Sequence, residues 1–408
     1  MEAQITKKDT LVDYLAEFPN YLSMFLVPVF LLFASPILLD ISKSINVEVR
    51  NLSLIFSFFT IGQLIGQLTS VLYNIKFSKI AIVTAAYSLL VPLCILLSFA
   101  NSLYVFYISY FIGGYLLGII YLQASEFILE SKIENKPRLL NILFAFYPLG
   151  AFVAPFLSTG IIKNNLSWRF IWYIIIVFIL LITILYLTVT RKRKYRISAE
   201  QKRKIAFKEI FLYKNKNILF LITFILMLVY TIPETIVFTW SPTFFRVERT
   251  FDIATAGIIV SIFWISVGIG RFIIGSIAGK INTNYLMLLL LIIASISITF
   301  MVFSELKYVI FIAIIFFGLS SSGIYPLLIS SGSTIYEAGR GVLITFLYVA
   351  EAMGLSIAPY LTRFISKYNM TLSISVSIIL LGIILILILI KIFYEKKFIK
   401  FNNATEGR

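Results

Sequence analysis

Twelve long apolar runs set the limits on what this chain can become. They cover about 20–40, 52–73, 80–99, 103–129, 139–162, 168–190, 217–240, 254–278, 283–303, 307–331, 340–363 and 371–393. A run of roughly 20 apolar residues is enough to cross a bilayer as a helix. Lipid offers a backbone amide no partner, so each run must satisfy its own hydrogen bonds, as a helix does. A transmembrane barrel would show short segments of alternating polarity, whereas these runs are continuously apolar. With 60% of its 408 residues hydrophobic and 13% charged, the chain has too little polar material to cover a soluble fold. The reading is an all-α membrane protein with twelve transmembrane helices. Residues 1–19 mix charges and hold no short apolar core before a small-residue cleavage site, so no cleaved signal peptide is expected.

The net charge of +16 invites a nucleic-acid reading, but its distribution argues for topology instead. If odd helices run outward and even helices inward, the cytoplasmic segments hold 25 Lys and Arg and the external loops 9. Arg271 falls within a span, and eleven of the 25 crowd into 191–216. This is the positive-inside pattern. It predicts a multi-pass protein of the cell (inner) membrane with both termini cytoplasmic and no nucleic-acid partner. Cys94 is the only cysteine and histidine is absent, so cysteine metal clusters and histidine proton relays are excluded. No metal or cofactor is expected. There is no Gly-x-x-x-x-Gly-Lys-[Ser/Thr] loop for ATP and no nucleophile–base pair, so neither an ATP-driven pump nor an enzyme fits.

The chain also repeats itself. Tyr147-Pro-Leu-Gly-Ala-Phe-Val-Ala-Pro-Phe-Leu-Ser158 is echoed by Glu351-Ala-Met-Gly-Leu-Ser-Ile-Ala-Pro-Tyr-Leu-Thr362. An offset of 204 pairs Gly150 with Gly354, Ala154 with Ala358, Pro155 with Pro359 and Leu157 with Leu361. The same offset pairs Gly66 with Gly270, Lys76 with Lys280, Gly114 with Gly318 and Tyr121 with Tyr325. One offset held across three helices marks an internal duplication. The expected organisation is a six-helix bundle over 1–190, a basic cytoplasmic linker over 191–216 and a second six-helix bundle over 217–408. Within the linker, Ser198-Ala-Glu-Gln201 resembles a capping box, and Ile205, Phe207, Ile210 and Phe211 could form the apolar face of an interfacial helix.

Parallel six-helix repeats, each with nested inverted repeats, are the signature of one transporter architecture. The motifs carry the likeness further. Gly150-x-x-x-Ala154-Pro155 resembles the fifth-helix motif of the major facilitator superfamily, and Gly114-x-x-x-Gly118 resembles its fourth-helix glycine ladder. The arginine that usually precedes that ladder is replaced by Tyr110. The loop motif after the second helix is eroded to Ile75-Lys76, and to Gly279-Lys280 in the second half. Three stretches look like TsgA-type transporters near the fucose–proton symporter branch: Thr239-Trp-Ser-Pro242, Ala256-Gly-Ile-Ile-Val-Ser-Ile-Phe-Trp264 and Gly318-Leu-Ser-Ser-Ser-Gly-Ile-Tyr325. The resemblance implies two bundles alternating about a central solute site.

Few polar groups lie deep in the spans, and charges there are expensive. Glu351 sits near the centre of the eleventh run. It should hold a proton or find a cation, which suits proton coupling as well as a structural carboxyl. Glu234 follows Pro233 in the seventh run, where proline frees a carbonyl and permits a bend. By the resemblance it is the acidic residue that precedes a tryptophan, here Trp240. Arg271 could pair with a carboxylate or hold a solute by its fork of donors. Tyr121 and Tyr325 are repeat-related and offer a flat apolar face plus a hydroxyl. With Gln123 and Trp240, they and Arg271 complete the expected solute-binding set. Gln63, Tyr147 and Ser320–Ser322 are weaker candidates of the same kind. Glu126 is expected to bind a basic loop group, and Asp40 to be interfacial. Gly150, Pro155, Gly354 and Pro359 are read as close-packed, bendable points at the interface between halves.

The function expected is secondary active transport of a sugar-like or other small polar solute, proton-coupled, by a monomer. The alternatives are proton-driven efflux of amphipathic compounds and, on the same scaffold, a non-transporting membrane sensor.

Overall fold

The computed structural model describes residues 17–74, 76–129, 136–190, 214–333, 335 and 340–406. The linker helix expected over 198–211 and loop residue Ile75 lie outside the described residues. Fourteen helices and no strand form among those described. Span one is a bent pair, Phe18–Leu32 and Ala34–Ser44. A single turn, Val49–Leu52, leads into span two, Ile55–Tyr73. Spans three to six are Lys79–Ser98, Leu103–Leu129, Lys136–Lys163 and Phe170–Thr190. Spans seven to twelve are Lys214–Glu248, Ile253–Ile277, Thr283–Phe303, Lys307–Ser333, Arg340–Ser366 and Met370–Glu406. Eleven single helices among the described residues are long and apolar enough to cross a membrane, and the bent pair supplies a twelfth.

Local chemistry explains the bend of 42° in span one. Pro36 has no amide hydrogen, so the carbonyl of Leu32 loses its helical partner, and the proline ring crowds that carbonyl. The helix breaks at Phe33, between the two. Large apolar side chains stay open along the spans, among them Phe99, Tyr104, Val177, Phe272, Ile379 and Phe393. Only lipid covers so much apolar surface at acceptable cost.

The chain divides into two compact units. The first takes Met1–Ile197 and Phe245–Ser261, the second Ser198–Phe244 and Ile262–Arg408. The corner between spans seven and eight is therefore packed in the first unit. There Arg246 forks onto the carboxylate of Asp40 and onto the Pro36 carbonyl oxygen at 3.1 Å. Ser261 Oγ donates to the Phe152 carbonyl oxygen at 2.9 Å. The backbone echoes the sequence repeat here. Asn46 and Thr250, 204 residues apart, both turn their corners at φ 53°, in the left-handed region.

Glycines bring the helices together. In the first unit, a Cβ added at Gly66 would lie 2.0 Å from the Tyr115 carbonyl oxygen, and one at Gly114 2.0 Å from that of Phe59. Gly62 and Gly118 make the same close approach, so spans two and four meet backbone to backbone. In the second unit, Gly318 packs on the Phe263 carbonyl of span eight, and Gly270 on Ser322 of span ten. The paired phrase works similarly. A Cβ at Gly150 would fall 2.2 Å from the Phe25 carbonyl oxygen of span one. At Gly354 it would fall 2.3 Å from the Leu228 carbonyl oxygen of span seven. Each copy makes this tight contact with a helix of its own six-helix half.

Gly114→Ala should therefore lower the thermal midpoint of detergent-purified protein, reflecting about 1–3 kcal/mol of overpacking. Gly382→Ala in span twelve, where an added Cβ meets nothing within 4 Å, should hold or raise it. Equal midpoints for the two variants would mean that spans two and four part freely.

Candidate functional site

Four helices of the second unit contribute to one polar group. Pro233 deprives the Val229 carbonyl of its helical partner in span seven, and Glu234 follows it directly. Arg271 comes from span eight, Tyr325 from span ten and Glu351 from span eleven. All four side chains are half-buried. The Tyr325 hydroxyl donates to Glu351 Oε2 at 2.6 Å. Arg271 lies close enough to both carboxylates for its charge to act on each, and the carboxylates act on one another. With both ionised, the group carries one uncompensated negative charge, and a single proton restores neutrality. Such a set can take up and release a proton, with a phenol and a guanidinium to steady either state. The charge lies at membrane depth, where uncompensated charge is costly.

Two neighbours were missed by the sequence reading. Tyr230, fully buried, donates to the Ser321 carbonyl oxygen at 3.2 Å. Thr231 Oγ1 approaches the backbone carbonyl oxygen of Glu351 at 3.4 Å. Spacing could have flagged both, since each stands about one helical turn before Glu234. Nothing in a lone tyrosine or threonine distinguishes it from packing until the facing helix is known.

The first half answers this group with aromatic packing. At the offset of 204, Phe30 stands for Glu234, Gln67 for Arg271, Tyr121 for Tyr325 and Tyr147 for Glu351. Phe30 packs on Phe59 at 5.9 Å and on Trp172 at 5.3 Å between ring centroids. Tyr121 meets Phe144 at 6.2 Å and, with Tyr147, borders the cluster around Tyr21, Met24 and Leu143. At these four matched positions the first half holds no charged residue and the second holds three.

Two of the expected solute contacts have partners within the fold. Gln123 is fully buried, and its Nε2 donates to Ser70 Oγ and Asn74 Oδ1, both at 2.8 Å. It ties span four to the end of span two. Trp240 is also buried, with Nε1 donating to Ser373 Oγ at 2.8 Å across to span twelve. In both cases a neighbouring helix supplies the partner that a solute was expected to supply. Glu126 takes Lys79 in an ion pair at 2.7 Å and accepts from Asn74 at 2.8 Å, so a basic group at a span end does bind it. Asp40 is half-buried and held by Arg246, a partnership that sequence reading missed across 206 residues.

Trp240→Phe removes the tie to Ser373. It should cost about 1 kcal/mol of stability, visible as a lower thermal midpoint, and leave solute affinity within about twofold. A large loss of affinity without loss of stability would return Trp240 to the site.

The comparisons with known proteins agree with this architecture. The family model described as Major Facilitator Superfamily matches residues 14–359. A protein from Buchnera aphidicola (subspecies Schizaphis graminum) described as a TsgA homolog is 26% identical over 319 residues, covering 77% of this chain and 79% of its own. Among solved structures, a D-xylose–proton symporter superposes with a TM-score of 0.76 at 14% identity, covering 93% of this chain and 97% of its own. The nucleoside transporter NupG superposes with a TM-score of 0.73 at 12% identity, covering 94% and 99%. The family model spans most of the chain and the same fold recurs in solved transporters, so this multi-pass membrane protein belongs to the Major Facilitator Superfamily of transporters.

Proposed function

We propose that this transporter moves a small, hydroxyl-rich polar solute by alternating access and couples the movement to protons. The observation that carries the reading is the Tyr325 hydroxyl on Glu351 at 2.6 Å, with Arg271 and Glu234 in electrostatic reach. Glu351 and Glu234 exchange the proton. Arg271 balances whichever carboxylate is ionised. Tyr325 offers the solute a flat face and a hydroxyl, a combination suited to sugars and nucleosides. Two of the structural neighbours are named for such solutes, D-xylose and nucleosides.

The chain takes its place in the cell (inner) membrane with both termini in the cytoplasm. The 25-to-9 imbalance of Lys and Arg between alternate connecting segments supports this orientation. The six-helix bundles of 1–190 and 217–408 are the moving bodies. Pro155 and Pro359, at matching places in spans five and eleven, each remove one backbone hydrogen bond where bending is useful.

A thermal-shift screen of sugars, nucleosides, amino acids and organic anions on the purified protein names the solute, because a ligand that binds the folded state raises its midpoint. Uptake of that solute into proteoliposomes should rise severalfold under an imposed pH gradient. Glu351→Gln and Glu234→Gln should each abolish the rise, a loss of tenfold or more, equivalent to at least about 1.4 kcal/mol. Uptake that ignores the gradient would defeat proton coupling. Coupling intact in both variants would remove these carboxylates from it.

A further inference from the structure

The two carboxylates sit on helices that cross at one tight point. On span seven, Thr231 stands three residues before Glu234. On span eleven, Gly354 stands three residues after Glu351. A Cβ at Gly354 would lie 2.0 Å from Thr231 Oγ1 and 2.3 Å from the Leu228 carbonyl oxygen. Nothing larger than hydrogen fits there. Three residues are close to one helical turn, so each carboxylate projects about a turn away from the contact point. Thr231 Oγ1 also reaches the main-chain oxygen of Glu351 itself at 3.4 Å, so the same hydroxyl touches both ends of that turn.

The crossing lies between two weakened stretches of helix. Pro233 removes a backbone bond of span seven, and Pro359 does so five residues beyond Gly354 in span eleven. Helices softened in this way hold a spacing only where something else pins them. The matching crossing in the first half, Gly150 on Phe25 and Pro28, pins span five to span one, with Phe30 and Tyr147 at the positions matching the two carboxylates. The pin is thus a scaffold feature shared by both halves, and the second half carries its charges around it.

We infer that the crossing of Thr231 over Gly354 is a positioning element that sets how far Glu351 stands from Glu234 and Arg271. This rests on the proton-coupling reading of those carboxylates. Between like charges the interaction falls with distance, so a change of an ångström at the crossing alters how strongly the two share a proton. The groups facing Glu351 are Glu234 on span seven, Arg271 on span eight, Tyr325 on span ten and Tyr348 one turn back on span eleven. None of these is changed by substitution at the crossing.

The test needs no solute. Protein in lipid is stepped from about pH 5 to about pH 9 while infrared difference spectra follow the carboxylic-acid C=O stretch, a range that brackets ordinary and strongly perturbed carboxyls. The band that disappears in Glu351→Gln belongs to Glu351. Gly354→Ala should move its midpoint by at least about half a pH unit, a threefold change in proton affinity. Thr231→Val sets a methyl against Gly354 in place of the hydroxyl and should move it in the same sense. Thr231→Ser keeps the hydroxyl and should retain the wild-type midpoint, as should Gly382→Ala on span twelve. Should Gly354→Ala fail to fold, Thr231→Val against Thr231→Ser decides the matter. Midpoints unchanged in both Gly354→Ala and Thr231→Val would overturn the positioning role and leave proton coupling standing. A wild-type spectrum with no titrating band lost in Glu351→Gln would overturn the coupling reading itself, and the inference with it.

Discussion

A backbone amide inside hydrocarbon has no water to turn to, and every other feature of this protein is arranged around that fact. The penalty for leaving such a group unpaired is several kcal/mol, by the order of magnitude for polar groups moved into an apolar medium. The twelve apolar runs therefore close their bonds locally as helices. Once they have done so, the hydrophobic effect no longer drives one helix onto another, because lipid tails are as apolar as leucine. Helices must then associate through shape and close contact. That is the role of Gly62, Gly66, Gly114 and Gly118 in the first unit, and of Gly270 and Gly318 in the second, where carbonyl oxygens or side chains occupy the space a methyl group would need.

The same constraint governs polar side chains, which must be tied or used. Gln123 is tied to Ser70 and Asn74, and Trp240 to Ser373. Lys391, fully buried in span twelve, is tied to Asn284 at 3.0 Å, to Ser331 and to Glu395. These ties hold helices in register. The group of Glu234, Arg271, Tyr325 and Glu351 differs because its formal charges do not cancel and its side chains keep part of their surface open. An unbalanced charge at membrane depth is costly, so the group must be neutralised by a proton or by a further partner.

Duplication explains why the scaffold is symmetric while the chemistry is not. The offset of 204 carries glycines, prolines and even the left-handed corners at Asn46 and Thr250 from one half to the other. At the charged positions the first half holds Phe30, Gln67, Tyr121 and Tyr147 instead. A close-packed crossing depends on small residues at the contact, which are Gly62 and Gly118 in the first half and Ser266 and Ser322 at the matching places in the second. The side chains a turn away are free to diverge, so one half holds aromatic residues at the positions where the other holds a carboxylate pair.

The apolar runs, the repeat and the positions of the deep charges were all legible in the sequence, because each is a property of residue type and spacing along one chain. Length and hydropathy determine that a segment spans, and a constant offset determines that two halves share a plan. Which polar residue faces which could not be read that way. Gln123 and Tyr325 look equally available in a linear string, yet one is consumed by span two and the other donates to Glu351. Asp40 and Arg246 give no sign of their pairing, and Thr231 none of its place over Gly354. Those pairings are contacts between helices far apart in the chain. They depend on the rotation and separation of packed helices, which only the assembled tertiary structure decides.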